Sequence, residues 1–264
     1  MSSNPNPLVS ILVPTHNRKW LLPRTLDSLI KQSYDNIEIV LINDAGEDVQ
    51  EVVDKFNDSR IRYFQNEKNI GLAGSRNVAL RHSTGDFICL LDDDDIYLNY
   101  AIEFRMYMIK KLKADIVYTR SLLDHWEKTK DGYKSIQKNL YWDSPFDKDL
   151  ILIQNIAPCS NPLFSRKIWE KANYWFDEKM TTTEDHDFWI GLSRVADFHE
   201  LKLIDAECSK RTDNSQMSGS LNFVPNWIIT FKRWRSTAKN LSWVTNAQND
   251  ILRKVGINPV DYDL

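Results

Sequence analysis

The residues best suited to chemistry begin at Asp92. Phe87-Ile88-Cys89-Leu90-Leu91 runs straight into Asp92, Asp93, Asp94 and Asp95. Five consecutive apolar residues predict a strand buried on both faces, as in a parallel sheet. The four acids then stand at its carboxyl end beside a core, where their charges repel one another in a lowered dielectric. A positive partner is needed, most simply a divalent cation. In extended chain Asp92 and Asp94 point to the same side. Two hard oxygen ligands at that spacing suit Mg²⁺ or Mn²⁺, with phosphate oxygens completing the shell. A solvated acidic turn is the plainer reading of the same residues.

A second cluster is Thr183-Glu184-Asp185-His186-Asp187-Phe188-Trp189. Thr182 or Thr183 suits the cap of a helix whose first turn holds acids, as the helix dipole prefers. Phe188, Trp189, Leu192 and Val195 supply its buried stripe, and capping alone accounts for the acids. A third candidate is Asp44, in Asn43-Asp44-Ala45-Gly46. Its carboxylate suits a nucleobase N–H, or equally a turn or a helix cap.

Strands and helices alternate to carry these groups. Leu8 to Val13, Ile37 to Ile42 and Ile61 to Phe64 are apolar runs. Between them, Trp20 to Gln32 has helical spacing through Leu22, Leu26, Leu29 and Ile30, and Val49, Val52, Val53 and Phe56 line a second helix. Leu72 to Arg81 is a third helix, ahead of the acid-tipped strand. This order predicts an α/β fold, a doubly wound parallel sheet flanked by helices. Such sheets bind ligands outside the carboxyl ends of their strands. Three of those ends are polar in a way that suits a nucleotide: Thr15, His16, Asn17 and Arg18 after the first, Asp44 after the second, and Asp92, Asp93, Asp94 and Asp95 after the fourth. Further on, Leu98 to Leu112 reads as a helix and Asp115 to Leu123 as a strand. Lys128 to Gly132 reads as a hairpin turn, and Leu163 to Trp169 as the entry to a short helix. Trp126, Tyr141, Trp142, Trp169, Tyr174 and Trp175 offer flat surfaces for sugars, or are simply core.

At 264 residues the chain fits one large domain, or one domain with an appendage. An apolar fraction of 42%, with nine Trp and eleven Phe, supports a sizeable core. The net charge of −3 argues against a general nucleic-acid binder. Cys89, Cys159 and Cys208 are too scattered for a metal site or a disulfide framework, which suits a reducing, cytoplasmic setting. No stretch approaches the length of a membrane span, and Met1 to Pro7 has no apolar signal core.

Four of these segments, in order, resemble a family 2 glycosyltransferase. They are Val9-Ser10-Ile11-Leu12-Val13-Pro14-Thr15-His16-Asn17-Arg18, Ile39-Val40-Leu41-Ile42-Asn43-Asp44, Asn69-Ile70-Gly71-Leu72-Ala73-Gly74-Ser75-Arg76-Asn77, and Thr84-Gly85-Asp86 through to Asp95. The resemblance covers about the first 125 residues densely and returns near Glu184. It implies a GT-A fold, a nucleotide-sugar donor, most simply UDP-linked, a divalent metal and inversion at the anomeric carbon. It sets the nucleobase at Asp44, Pro14 and Thr15 beside the nucleoside, and Arg76 near the nucleotide. Asp92 and Asp94 become the family's two motif acids, with Asp94 touching the metal. Asp185 takes the place of the catalytic base; Glu184, His186 and Asp187 are weaker candidates.

Residues 1–220 are then the GT-A domain, with 1–125 the nucleotide-sugar-binding half and 126–220 the acceptor-binding half. The acceptor implied is a glycan or lipid-linked sugar in bacterial surface-polysaccharide assembly. One departure stands out: many relatives complete the metal shell with a His after the last strand, whereas Lys210 to Gln216 has none. Asp213 or water is the expected substitute, and Arg211 is expected to meet the diphosphate.

Residues 221–264 read as a helical tail. Trp227, Ile228, Phe231, Trp234 and Arg235 mix there with Lys232, Arg233 and Lys239. Such a helix can lie on the anionic inner face of the cell membrane, pack on its own domain, or meet a second copy in a homodimer. Two rivals to the transferase remain. A sugar-phosphate nucleotidyltransferase needs a Gly-rich basic loop where Pro14-Thr15-His16-Asn17 stands. A non-catalytic relative should lack acids that are all present here.

Overall fold

Apolar runs dictate the centre of the molecule. In the computed structural model, which describes residues 6–130, 132–141, 144–213 and 223–264, Val9–Thr15 (β1) lies between Ile37–Asn43 (β2) and Phe87–Leu90 (β4), all parallel. Ile61–Gln65 (β3) extends the sheet beyond β2. Successive side chains face opposite sides of the sheet. Ile11, Val13, Ile39 and Leu41 therefore join Leu22, Leu26 and Leu29 of helix α1 (Leu22–Ile30) on one face. Leu12, Val40, Ile42 and Leu90 join Ala79 and Leu80 of helix α3 (Gly71–His82) on the other. Helix α2 (Gln50–Phe56) connects β2 to β3.

The second half enters the same sheet. Its elements are β5 (Ile96–Tyr97), α4 (Ala101–Leu112), β6 (Ile116–Thr129), β7 (Gly132–Leu140), β8 (Pro162–Ser165), α5 (Arg166–Ala172), α6 (Glu184–Ser193), β9 (Phe198–Arg211), α7 (Val224–Trp234) and α8 (Leu241–Lys254). The strand order is β3-β2-β1-β4-β8-β6-β9-β5, with β7 paired to β6. The sheet is thus parallel at its core and mixed beyond it. β8 is antiparallel to both β4 and β6, and β6 runs parallel to β9.

Two sequence readings are corrected here. Leu163 to Trp169 does not run into a helix as one piece. Leu163 to Ser165 belongs to β8, and the Ser165 hydroxyl then caps α5 by accepting the Ile168 N–H at 3.3 Å. The helix expected from Leu98 begins at Ala101, because Ile96 and Tyr97 pair antiparallel with Glu207 and Ala206 of β9.

The tail packs on its own domain. The Asp187 carboxylate, fully buried, accepts from the Trp234 indole N–H (2.7 Å), Arg233 (2.6 Å) and the Tyr174 hydroxyl (2.7 Å). Asp149 accepts the backbone N–H groups of Lys239 and Asn240, both at 2.7 Å. Buried Gln248 donates to the Leu152 carbonyl at 2.8 Å. Trp234 and Arg233, two of the residues that suggested a membrane face, thus bond a buried carboxylate of their own domain. Trp234→Phe keeps the packing and removes one donor from a buried carboxylate. It is expected to cost about 1–3 kcal/mol, read as a lower urea midpoint with an unchanged slope. A midpoint equal to wild type would show that this bond does not hold the tail. The boundary at 220/221, Trp142 and Asn214 to Gln216 lie outside the described residues.

Candidate active site

The acids after β4 do not continue the strand. The Asp95 N–H bonds the Asp92 carbonyl at 3.0 Å, which closes a turn. Strict alternation would have set Asp95 with Asp93, but the turn brings Asp95 round to the side of Asp92 and Asp94. Asp92, Asp94 and Asp95 line a cleft of about 500 Å³, together with Arg18, Arg76, Tyr141, Asn155, Cys159 and Asp185. Asp93 is turned inward and fully buried, accepting the Thr15 hydroxyl at 2.6 Å and pairing with Arg18 at 2.7 Å. Burial, opposed by Arg18, pushes its carboxyl up to about 7.

The cleft carboxylates meet guanidinium groups. Arg76 is 1% exposed and reaches Asp92 Oδ1 at 2.8 Å; its other terminal nitrogen bonds Glu184. One buried cation thereby ties the acid turn to the first residue of α6. Burial alone would raise the Asp92 carboxyl, but Arg76 holds it below the usual carboxylate range. The Cys159 thiol donates to Asp92 Oδ2 at 3.3 Å. Asp94 Oδ2 takes Arg211 at 2.9 Å and Arg18 at 3.1 Å. All bonds to the Asp94 carboxylate among the described residues run through Oδ2, so Oδ1 is the oxygen open to a ligand. Asp95 accepts the Ser209 N–H at 2.9 Å, and burial with Asp94 beside it lifts its carboxyl well above the usual range.

Asp185 differs from its neighbours. Its Oδ2 accepts the Asn155 amide at 3.0 Å and its Oδ1 the His186 N–H at 2.8 Å. It has no ion pair among the described residues. Burial, only partly offset by Arg76, raises its pKa. A half-buried carboxylate with elevated basicity, oriented by an amide and facing a cleft, is equipped to accept a proton. The neighbours are not so placed. Glu184 is committed to Arg76, Asp187 to the tail, and the His186 ring sits 2.6 Å from the Ile151 carbonyl, where burial lowers its pKa. The expected threonine cap is not made. Thr183 holds the N-cap position at φ 55° without a side-chain bond, and the Thr182 hydroxyl instead accepts from Asn226 at 2.6 Å.

The expected nucleoside residues lie at the ends of β1 and β2, outside the lining of this cleft. Asp44, 4% exposed, accepts the N–H groups of Ile70 (2.9 Å) and Gly71 (2.8 Å) and the Asn66 amide (2.9 Å), so its carboxylate anchors the start of α3. His16 bonds the Asp44 carbonyl at 2.8 Å, and Asn17, at φ 53°, accepts the Glu47 N–H at 2.9 Å. Pro14 pairs with Ile42 in the sheet. Asp213 accepts the Tyr133 hydroxyl at 2.5 Å and is not among the cleft-lining residues. Of the aromatics offered for sugar stacking, Tyr141 lines the cleft. Trp126 lies under Arg24 (4.5 Å), Trp169 packs on Trp175 (4.9 Å), and Tyr174 lies against Gly191, where an added Cβ would meet its ring at 2.4 Å.

Asp92 and Asp94 are the groups with the donor chemistry a hard divalent cation would need. Two carboxylates two residues apart border one cleft, and such cations take few protein ligands when substrate phosphates supply the rest. Among the described residues no third acid, His or Cys joins them in a metal-binding group. Sequence reasoning missed Asn155, Cys159 and the depth of Arg76. The first two lie in loops without pattern, and the burial of Arg76 depends on partners far along the chain.

Comparison with known proteins gives a consistent result. The sequence model of Glycosyl transferase family 2 matches residues 10–171. "Putative colanic acid biosynthesis glycosyl transferase WcaA" of Escherichia coli strain K12 is 29% identical over 196 residues, covering 70% of this chain and 66% of its own. "UDP-Glc:alpha-D-GlcNAc-diphosphoundecaprenol beta-1,3-glucosyltransferase WfgD" of Escherichia coli is 37% identical over 112 residues, 42% of this chain and 44% of its own. An "Uncharacterized glycosyltransferase" of Rickettsia bellii is 30% identical over 75% of this chain but only 29% of its own length. The chain therefore spans only part of these curated relatives. Among solved structures, S. aureus TarS 1-349 in complex with UDP-GlcNAc superposes with a TM-score of 0.72 at 17% identity, over 96% of this chain and 74% of that one. Mannosyltransferase PcManGT from Pyrobaculum calidifontis, in complex with GDP-Man and Mn²⁺, gives 0.60 at 14% identity, over 95% and 75%. The fold is GT-A, and the chain belongs to glycosyl transferase family 2.

Proposed function

We propose that the chain transfers a sugar from a nucleoside diphosphate-sugar, UDP-linked, to a hydroxyl of a glycan or lipid-linked acceptor in surface-polysaccharide assembly, with inversion. The observation that carries this reading is the meeting of Asp92, Asp94 and Asp185 around one cleft. The UDP assignment draws on the names of WfgD and of the TarS complex, and the acceptor class on those of WcaA and WfgD. Asp92 and Asp94 Oδ1 are the groups to hold Mn²⁺ or Mg²⁺, which when bound offsets charge on the departing diphosphate. Asp185, oriented by Asn155, removes the proton from the acceptor hydroxyl. Arg76 keeps Asp92 and Glu184 in register, so the donor side and the base side of the cleft hold one geometry. A lipid-linked acceptor is reached at a membrane surface, where the exposed Leu241 and Trp243 of the tail offer apolar contacts. Among the described residues no helix is long and apolar enough to cross a membrane.

A melting-temperature panel of nucleoside diphosphates with and without Mn²⁺ tests the donor reading. A ligand bound only by the folded chain at ~100 times its Kd adds about 2.7 kcal/mol. For a chain of this size that is a rise of about 5–10 °C. The rise is expected with UDP plus Mn²⁺ and should collapse on adding chelator. An unchanged melting temperature across the whole panel would end the donor reading.

A further inference from the structure

Asp94 is held from two sides. Its Oδ2 receives Arg211 at 2.9 Å and Arg18 at 3.1 Å. Its backbone carbonyl is fixed as well, by Ser209 Oγ at 2.5 Å and Arg24 at 3.2 Å. The acid therefore cannot swing out to meet a cation, and a cation at its carboxylate must approach two anchored positive charges. Guanidinium groups do not lose their protons in proteins, so deprotonation cannot relieve that opposition. A diphosphate can, because it brings negative charge and offers the arginines new acceptors in a geometry they favour.

We propose that Arg18 and Arg211 are built-in counter-ions at the Asp94 carboxylate whose charge opposes a cation until a nucleoside diphosphate offsets it, so that a cation alone is opposed and a cation arriving with nucleotide is favoured. This rests on the donor-and-cation reading above and adds a coupling to it. The coupling is reciprocal: whatever the nucleotide does for the cation, the cation does for the nucleotide. It also assigns the two arginines a role on both sides of the event. Arg211 is 1% exposed and supplies a fixed charge, whereas the Arg18 side chain is 25% exposed, pairs with Asp93 as well, and stands at the rim.

The test is Mn²⁺ uptake by the full chain, read from the electron paramagnetic resonance signal of free Mn²⁺, with and without saturating UDP. Wild type should bind Mn²⁺ weakly alone and more tightly with UDP. Arg211→Gln and Arg18→Gln each remove one opposing charge. Each should bind Mn²⁺ alone about threefold to tenfold more tightly, allowing for solvent screening at the rim, while gaining less from UDP. A merely structural role predicts no tightening, since a loosened Asp94 binds Mn²⁺ no better. Circular dichroism checks each variant, and Arg18→Gln decides if the buried Arg211 substitution fails to fold. Wild-type uptake with UDP, but no tightening in any folded variant, overturns this inference alone. No uptake by wild type even with UDP overturns the cation reading beneath it.

Discussion

Asp185→Asn is expected to leave Mn²⁺-dependent UDP binding near wild type and to cut sugar transfer at least ~10²-fold, the low end for loss of a positioned general base. The substitution keeps the shape of the side chain and its acceptor oxygen, so the bonds from Asn155 and the His186 N–H can persist in part. What it removes is basicity. An acceptor hydroxyl is a weak nucleophile at neutral pH and must lose its proton as the new bond forms. Because burial raises the Asp185 pKa above the ordinary 3.8, the sign of the pH dependence follows. The protonated form is inactive as a base, so transfer should climb with pH along a limb displaced upward from the usual carboxylate range. That limb should vanish in Asp185→Asn. A variant retaining transfer within a few-fold would rule Asp185 out. Glu184 would then be the nearest alternative, since Asp187 is enclosed by Tyr174, Arg233 and Trp234.

The second large effect is on stability. Arg105 and Asp205 are both 0% exposed and pair through two bonds, Nε to Oδ2 at 2.8 Å and the second nitrogen to Oδ1 at 2.7 Å. Asp205 also accepts the Thr119 hydroxyl at 2.7 Å, and Arg105 lies 4.5 Å from the centre of the Tyr97 ring. Arg105 and the Tyr97 hydroxyl both donate to the Ser160 carbonyl, at 3.0 and 2.7 Å, one residue from Cys159 at the cleft. Asp205→Asn leaves a buried guanidinium uncompensated. Breaking such a pair from one side costs ~3–5 kcal/mol, a large part of the ~5–15 kcal/mol that holds a typical domain together. The expected result is a sharp fall in urea midpoint. The double change Arg105→Met with Asp205→Leu should recover much of it, because both charges leave together. A single variant within 1 kcal/mol of wild type would show that water or a shifted partner relieves Arg105.

The three buried arginines, Arg76, Arg105 and Arg211, also show where sequence reasoning reaches and stops. Ile11, Ile39 and Leu90 were legible because long apolar runs announce buried strands without reference to anything distant. Asp92, Asp94 and Asp185 were legible as candidates because acids stood at predicted strand and helix ends. β8 was not, since four residues flow without a break into α5 and its place depends on β4 and β6 on either side. The inward turn of Arg76 and Arg211 was hidden because a charged side chain is buried only where its partners are. Arg105 carried a signal that was available: it follows Ile102 by three positions and precedes Met106 and Ile109, so it sits on the buried stripe of α4. A lone cation on such a stripe asks for a hidden anion. The tail's alternatives stayed open for a related reason, since nothing in its own sequence shows that Trp234 and Arg233 bond Asp187.

The pairing of β5 with β9 bears on how the protein is made. Once synthesis has passed Leu90, roughly 120 residues must still be joined before Arg211 emerges, about 6–24 s at ~5–20 residues per second. Through that interval the acid turn has neither its strand partner nor Arg211. The nascent amino-terminal half therefore carries an acid turn with Arg18 and Arg76 alone to offset its charge and an unfinished sheet edge, with the cleft itself still unbuilt. Donor cannot be captured in its final geometry by a growing chain, and an unfinished edge of this kind is where a chaperone would be expected to bind.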